Sequence, residues 1–85
     1  MSDVDAEFTQ AQQDVQALPN DPGNDAKLKL YALYKQATAG DVSGKKPGRF
    51  DMVGRAKYDA WSKVAGLSTD DAKQQYVDYA RALGA

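Results

Sequence analysis

The chain has 85 residues, 11 basic and 12 acidic, a net charge of −1, and neither cysteine nor histidine. That length supports one small core, burying roughly 60% of the unfolded chain's surface. The two missing residue types exclude disulfides, thiolate and imidazole zinc sites, and Ser-His-Asp or Cys-His catalysis. The acidic start, Met1-Ser2-Asp3-Val4-Asp5, lacks a signal peptide's apolar run. No stretch approaches the roughly 20 apolar residues of a membrane span. One cytoplasmic domain over residues 1–85, with no stable membrane insertion, is the expectation.

The predicted elements are all helical. Ser2, with Asp5 three residues on, fits a capping pair at the first helix. Val4, Phe8, Ala11, Val15 and Leu18 then recur along one face, and Pro19 stops the helix. Residues 19–24 form a turn cluster of Pro, Asn, Asp and Gly. The second helix starts between Pro22 and Asp25 and runs to about Thr38. Its core stripe reads Ala26, Leu30, Leu33, Tyr34 and Ala37; an adjoining stripe reads Leu28, Tyr31, Lys35 and Thr38. Rings, hydroxyls and an ammonium on one face suit a phosphorylated ligand carrying a flat ring. They equally suit tyrosines that pack as core with a wet edge.

Residues 40–49 hold three glycines and Pro47 and show no periodicity. Such a loop is longer than adjacent antiparallel helices need, and it lets the two central helices run parallel. Asp51 is placed to cap a third helix carrying Val53, Ala56, Ala60 and Val64 on one stripe, with Trp61 beside it; Gly66 ends it. Ser68 and Asp71 make a second cap box, ahead of Ala72, Tyr76, Tyr79, Ala80 and Leu83. Gly84 suits the final helix end.

Charge is unevenly spread. Between Lys27 and Lys63 stand nine Lys/Arg and three Asp, a local +6 inside acidic flanks. A basic middle points to a local anion site. The acidic balance of the whole chain argues against a nucleic-acid partner. Lys57 falls between Val53 and Trp61, inside the apolar arc, so it must snorkel or meet an anion. Arg55 and Lys63 lie outside that arc, as ordinary solvated charges. Lys35 stands one turn after Tyr31. The Gly40–Lys46 segment lacks the Ser/Thr and the preceding strand of a phosphate loop. Asp41, Asp51 and Asp59 lack calcium-loop spacing. No catalytic set and no metal site emerges, and no cofactor is implied.

The run Tyr31-Ala32-Leu33-Tyr34-Lys35-Gln36-Ala37-Thr38-Ala39-Gly40-Asp41, then Lys46-Pro47-Gly48 and Gly54-Arg55-Ala56-Lys57-Tyr58-Asp59-Ala60-Trp61, resembles the acyl-CoA-binding protein family. The likeness covers about Ala6 to Leu83. It implies a four-helix bundle of up-down-down-up topology with a long loop between helices 2 and 3. It also implies non-catalytic binding and intracellular transport of long-chain fatty acyl-CoA by a monomer, with acyl-CoA-using enzymes as possible partners. By resemblance, Tyr31, Lys35 and Lys57 hold the 3′-phosphate of coenzyme A, Tyr34 packs on the ligand, and Tyr76 contacts adenosine. Ala32 and Leu33 lie in the family's binding segment, and Leu28 lies near the acyl chain. Three positions depart from the family pattern: Gln16 and Val53 replace lysines, and Tyr58 replaces a tryptophan. The alternatives are a nucleic-acid or protein-interaction module built on the basic middle, and a thioesterase, for which a nucleophile–base pair is missing.

Overall fold

A computed structural model describes residues 3–84. It contains four helices, α1 (Val4–Gln16), α2 (Asn24–Ala39), α3 (Met52–Lys63) and α4 (Thr69–Ala82). Among the described residues there is no strand. Two of the expected caps are formed. Asp51 Oδ1 accepts from the Gly54 N–H at 2.9 Å, and Ser68 Oγ from the Asp71 N–H at 3.1 Å. The expected cap at Ser2 lies outside the described residues; Asp3 precedes α1 and makes no side-chain cap. Helix α1 ends at Gln16, before Leu18, and α2 starts after Gly23, whose φ of +96° suits glycine.

Side-chain pairs give the direction of each helix. Asp5 pairs with Lys73 at 2.6 Å, and the Phe8 and Tyr76 rings meet edge-on at 5.1 Å, so α1 and α4 run parallel. Lys57 sits over Tyr31, and Lys35 over Trp61, so α2 and α3 also run parallel. Lys29 lies over Tyr79, while Gln36 reaches the Leu67 carbonyl at the other end, so α2 and α4 are antiparallel. The order is up-down-down-up. A side-by-side arrangement α1–α4–α2–α3 gives a slab with principal extents of 38 × 32 × 15 Å.

Parallel α2 and α3 require the intervening chain to return the length of a helix. It does so along α3 itself. Trp61 Nε1 donates to the Gly40 carbonyl at 2.8 Å, the Tyr58 hydroxyl to Gly44 at 3.1 Å, and Arg55 Nη1 to Pro47 at 3.3 Å. Residues 55, 58 and 61 are three apart and share a face. Lys46 and Asp59 add an ion pair at 2.8 Å. Arg55, expected as a free solvated charge, is instead half-buried and holds the loop.

The core draws on α1, α2 and α4: Phe8 and Ala11, then Leu30, Leu33 and Ala37, then Ala72, Tyr76, Val77 and Ala80. Helix α3 contributes no fully buried residue, because α2 is its one helical neighbour. Two stripe assignments need correction, Val53 for that reason and Tyr34 because it lines an open depression instead of the core. Val53 is 67% exposed and Tyr34 41% exposed, neither in the core. Gln36 takes the buried place at the end of the α2 stripe. Its Nε2 donates to Asp41 Oδ1 at 2.7 Å and to the Leu67 carbonyl at 2.9 Å. Asp41 Oδ1 also accepts from the Gly66 N–H at 2.8 Å, so one carboxylate joins the end of α2 to the α3–α4 turn.

Candidate ligand-binding site

Parallel α2 and α3 bring the flagged residues of both helices to one level. The Lys57 ammonium stands 5.2 Å from the Tyr31 ring centroid, and the Lys35 ammonium 5.1 Å from that of Trp61. A cation near an aromatic face is favoured by about 0.5–1 kcal/mol at an exposed site. Lys57 does not snorkel out of an apolar face; it is exposed, resting on a ring across the helix interface. Among the described residues no carboxylate pairs with Lys35 or Lys57, whereas Lys27, Lys46, Lys73 and Arg81 all have one. Two cations without a carboxylate partner thus stand at successive turns of the α2–α3 interface.

Tyr31 separates two cavities. On one side, a depression of about 410 Å³ is lined by Gln12, Gln16, Leu30, Tyr31, Tyr34 and Tyr76, among others. Phe8 fixes two of these rings, lying nearly parallel to Tyr34 at 6.2 Å and edge-on to Tyr76 at 5.1 Å. Burial, with a smaller contribution from Tyr34, pushes the Tyr76 hydroxyl above its ordinary pKa. Among the described residues, the hydroxyls of Tyr31, Tyr34 and Tyr76 engage no protein partner, in contrast to that of Tyr58. Flat rings with unengaged hydroxyls can stack on a base and donate to phosphate oxygens.

On the other side, Leu28, Tyr31, Met52, Val53, Ala56 and Lys57 line a groove of about 380 Å³. Leu28 and Ala56 also line a larger cavity between α2 and α3, of about 660 Å³, with Ala32, Ala60 and Val64. Alanines at 32, 56 and 60 leave that seam open, because they fill little of the space between helix axes. Lys63, an exposed charge as expected from its helix position, also lines this seam.

Of the flagged residues, Leu28, Tyr31, Tyr34, Lys57 and Tyr76 line these cavities, while Lys35 lines none of them and rests on the Trp61 ring. Ala32, although nearly inaccessible, lines the α2–α3 seam. Leu33 does not join them: it has no exposed surface and belongs to the core. Sequence reasoning missed Phe8 as the support of the two tyrosine rings, because it reads as an ordinary core residue. Met52 was missed as well, since it opens a helix instead of continuing a stripe.

The description "Acyl CoA binding protein" belongs to the family model that matches residues 5–80. The chain belongs to the acyl-CoA-binding protein family. It is 50% identical over 70 residues to acyl-CoA-binding protein homolog 1 of Caenorhabditis elegans, covering 82% of this chain and 81% of the relative. To the Drosophila melanogaster homolog it is 42% identical over 80 residues, with 94% and 93% covered. It is also 49% identical over 77 residues to enoyl-CoA delta isomerase 2 of Rattus norvegicus; the match takes in 91% of the chain but only 20% of the isomerase. Among solved structures, the crystal structure of Oryza sativa acyl-CoA-binding protein 2 superposes with a TM-score of 0.89 at 39% identity, covering 94% of this chain and 89% of that one. Within the acyl-CoA-binding protein family motif, the residues now divide by task. Tyr31 and Tyr34 line the cavities and Lys35 rests on Trp61, while Gln36, Gly40 and Asp41 tie α2 to α3 and α4.

Proposed function

We propose that the chain binds long-chain fatty acyl-CoA thioesters reversibly and carries them within the cell, without chemistry, as a cytoplasmic monomer. The observation that carries this reading is Tyr31, one wall of both the aromatic depression and the apolar groove, with Lys57 over its ring. In this reading the adenine occupies the depression among Tyr34, Tyr76 and Gln16, and the 3′-phosphate is met by Tyr31, Lys35 and Lys57. The acyl chain then leaves along Leu28 and Ala56 into the seam lined by Ala32.

The energetic division follows from the chemistry. A buried methylene contributes about 0.8 kcal/mol, so a long tail offers on the order of 10 kcal/mol before binding entropy is subtracted. Each charge-assisted hydrogen bond to the phosphate contributes about 1.5–3 kcal/mol. The tail sets affinity and the phosphate sets identity. Acyl-CoA-using enzymes are the partners to which such a carrier would deliver. The isomerase activity named for some relatives is not carried over, because the chain spans a fifth of those proteins.

Calorimetric titration with acyl-CoA thioesters of increasing length, free CoA and fatty acid tests the reading. Affinity rises with each added methylene until the seam is full, then levels off; free CoA binds weakly and fatty acid more weakly still. A flat length series would leave the tail in solvent and overturn the proposal.

A further inference from the structure

The entrance to α3 turns its apolar side chains outward. Phe50 is 94% exposed, Met52 78% and Val53 67%. Phe50 lines neither the groove, the seam nor the aromatic depression. Residues 45–57 also carry Lys45, Lys46, Arg49, Arg55 and Lys57 against Asp51 alone, a net +4 in a chain of net −1. The Asp51 carboxylate is turned onto the start of α3, where it accepts from the Gly54 N–H. Lys46 is paired with Asp59, but among the described residues Lys45 and Arg49 have no ion-pair partner. This segment is held in place: Asp51 N–H donates to Gly48 at 2.9 Å, and Arg55 and Tyr58 fasten Pro47 and Gly44.

We propose that this knob docks the protein peripherally on anionic phospholipid bilayers, with Phe50 and Met52 entering the interface and Lys45 and Arg49 facing the headgroups. Charge selects the occupant. A second copy of the same face would set +4 against +4, whereas an anionic leaflet attracts the basic segment and repels the acidic remainder of the chain. Exposed aromatic and aliphatic side chains beside basic residues are the combination that binds the headgroup boundary. Contact of this kind requires no spanning helix. It also has a functional corollary that rests on the acyl-CoA reading: Met52 and Val53 line the groove mouth, so a tail passes between groove and bilayer with little exposure to water.

Vesicle flotation of the full, ligand-free chain tests the docking. The probes are phosphatidylcholine vesicles with and without about 30% phosphatidylserine, at low and physiological salt. The expected result is at least about tenfold stronger binding to the anionic vesicles, weakened by salt. Phe50→Ser lowers it about tenfold or more, and the double variant Lys45→Glu/Arg49→Glu lowers it further, since each basic residue near the surface is worth about fivefold. All three substitutions lie on exposed side chains, so thermal midpoint and acyl-CoA affinity in solution stay at wild-type values. Equal flotation of wild type and Phe50→Ser, indifference to the charge reversals, or no anionic binding at low salt would each overturn the proposal. Phe50-dependent dimerisation without flotation would give the face to a second copy instead. Loss of acyl-CoA binding with docking intact would strike the proposed function and spare this one.

Discussion

The Trp61 indole and the Lys35 ammonium share one ring: Nε1 of Trp61 donates to the Gly40 carbonyl at 2.8 Å, while Lys35 lies 5.1 Å from the ring centroid. One side chain therefore fixes the end of α2, anchors the returning loop and sets the resting position of a cation proposed to meet the phosphate. Trp61→Phe keeps a ring but removes the donor, leaving the Gly40 carbonyl without its partner. Urea unfolding should show a loss of about 1 kcal/mol. In the wild type, the emission of this single tryptophan should change on ligand binding as Lys35 leaves its face. Unchanged stability in Trp61→Phe would mean that the loop is held by Tyr58, Arg55 and the Lys46–Asp59 pair without it.

Lys57→Ala should weaken acyl-CoA binding by about 1.5–3 kcal/mol, the worth of a charged hydrogen bond. Lys73→Ala is the control, because Lys73 is held by Asp5 on the α1–α4 side. Lys63 does not serve, since it lines the α2–α3 seam. Equal losses at positions 57 and 73 in titration would remove Lys57 from the site.

With a ligand lacking the 3′-phosphate, Lys35→Ala and Tyr31→Phe should bind nearly as well as wild type. The full ligand should separate them clearly. A double-mutant cycle run with both ligands makes the comparison. A loss in Lys35→Ala that is the same with either ligand would place Lys35 away from that phosphate.

The Gly66 N–H and the Gln36 amide hold the Asp41 carboxyl below the usual carboxylate range. A depressed native pKa means that the unfolded chain binds the extra proton first. The stabilisation is therefore complete above the unfolded value of about 3.9 and disappears as pH falls through the native value. Thermal midpoints measured downward from pH 6 should show an acid limb that is shallower in Asp41→Asn. Gln36→Ala should cost on the order of 3 kcal/mol at neutral pH, through lost packing and an unpaired Leu67 carbonyl. An identical acid limb in Asp41→Asn would assign the pH dependence to other carboxylates.

Gln16 lines the aromatic depression beside Tyr31 and Tyr34. Adding a cation there, Gln16→Lys, should tighten acyl-CoA binding by about 1 kcal/mol or less and make it more sensitive to salt. Titration at two salt concentrations decides it. No change in affinity or slope would show that the ligand passes this position by.

Helix number, the long central loop and two of the caps were legible in the sequence, because each depends on neighbours within a turn or two; Leu28, Tyr31, Ala32, Tyr34, Lys57 and Tyr76 came with the family resemblance, and most of the other cavity-lining residues did not. Periodicity fixes which face of a helix is apolar, and Ser68 and Asp51 satisfy backbone N–H groups three residues away. What the neighbours of each helix would be was decided only by the tertiary structure. Val53 lies on an apolar stripe and yet stays exposed, because burial needs a facing helix and α3 packs on α2 alone; Tyr34 stays exposed as a wall of the open depression. Arg55 reads as a solvated charge and yet, with Tyr58, holds the loop. The pairings of Lys57 with Tyr31 and Lys35 with Trp61 join residues 26 positions apart. Local spacing can put a cation on a face, but only the parallel docking of two helices can put it over a ring.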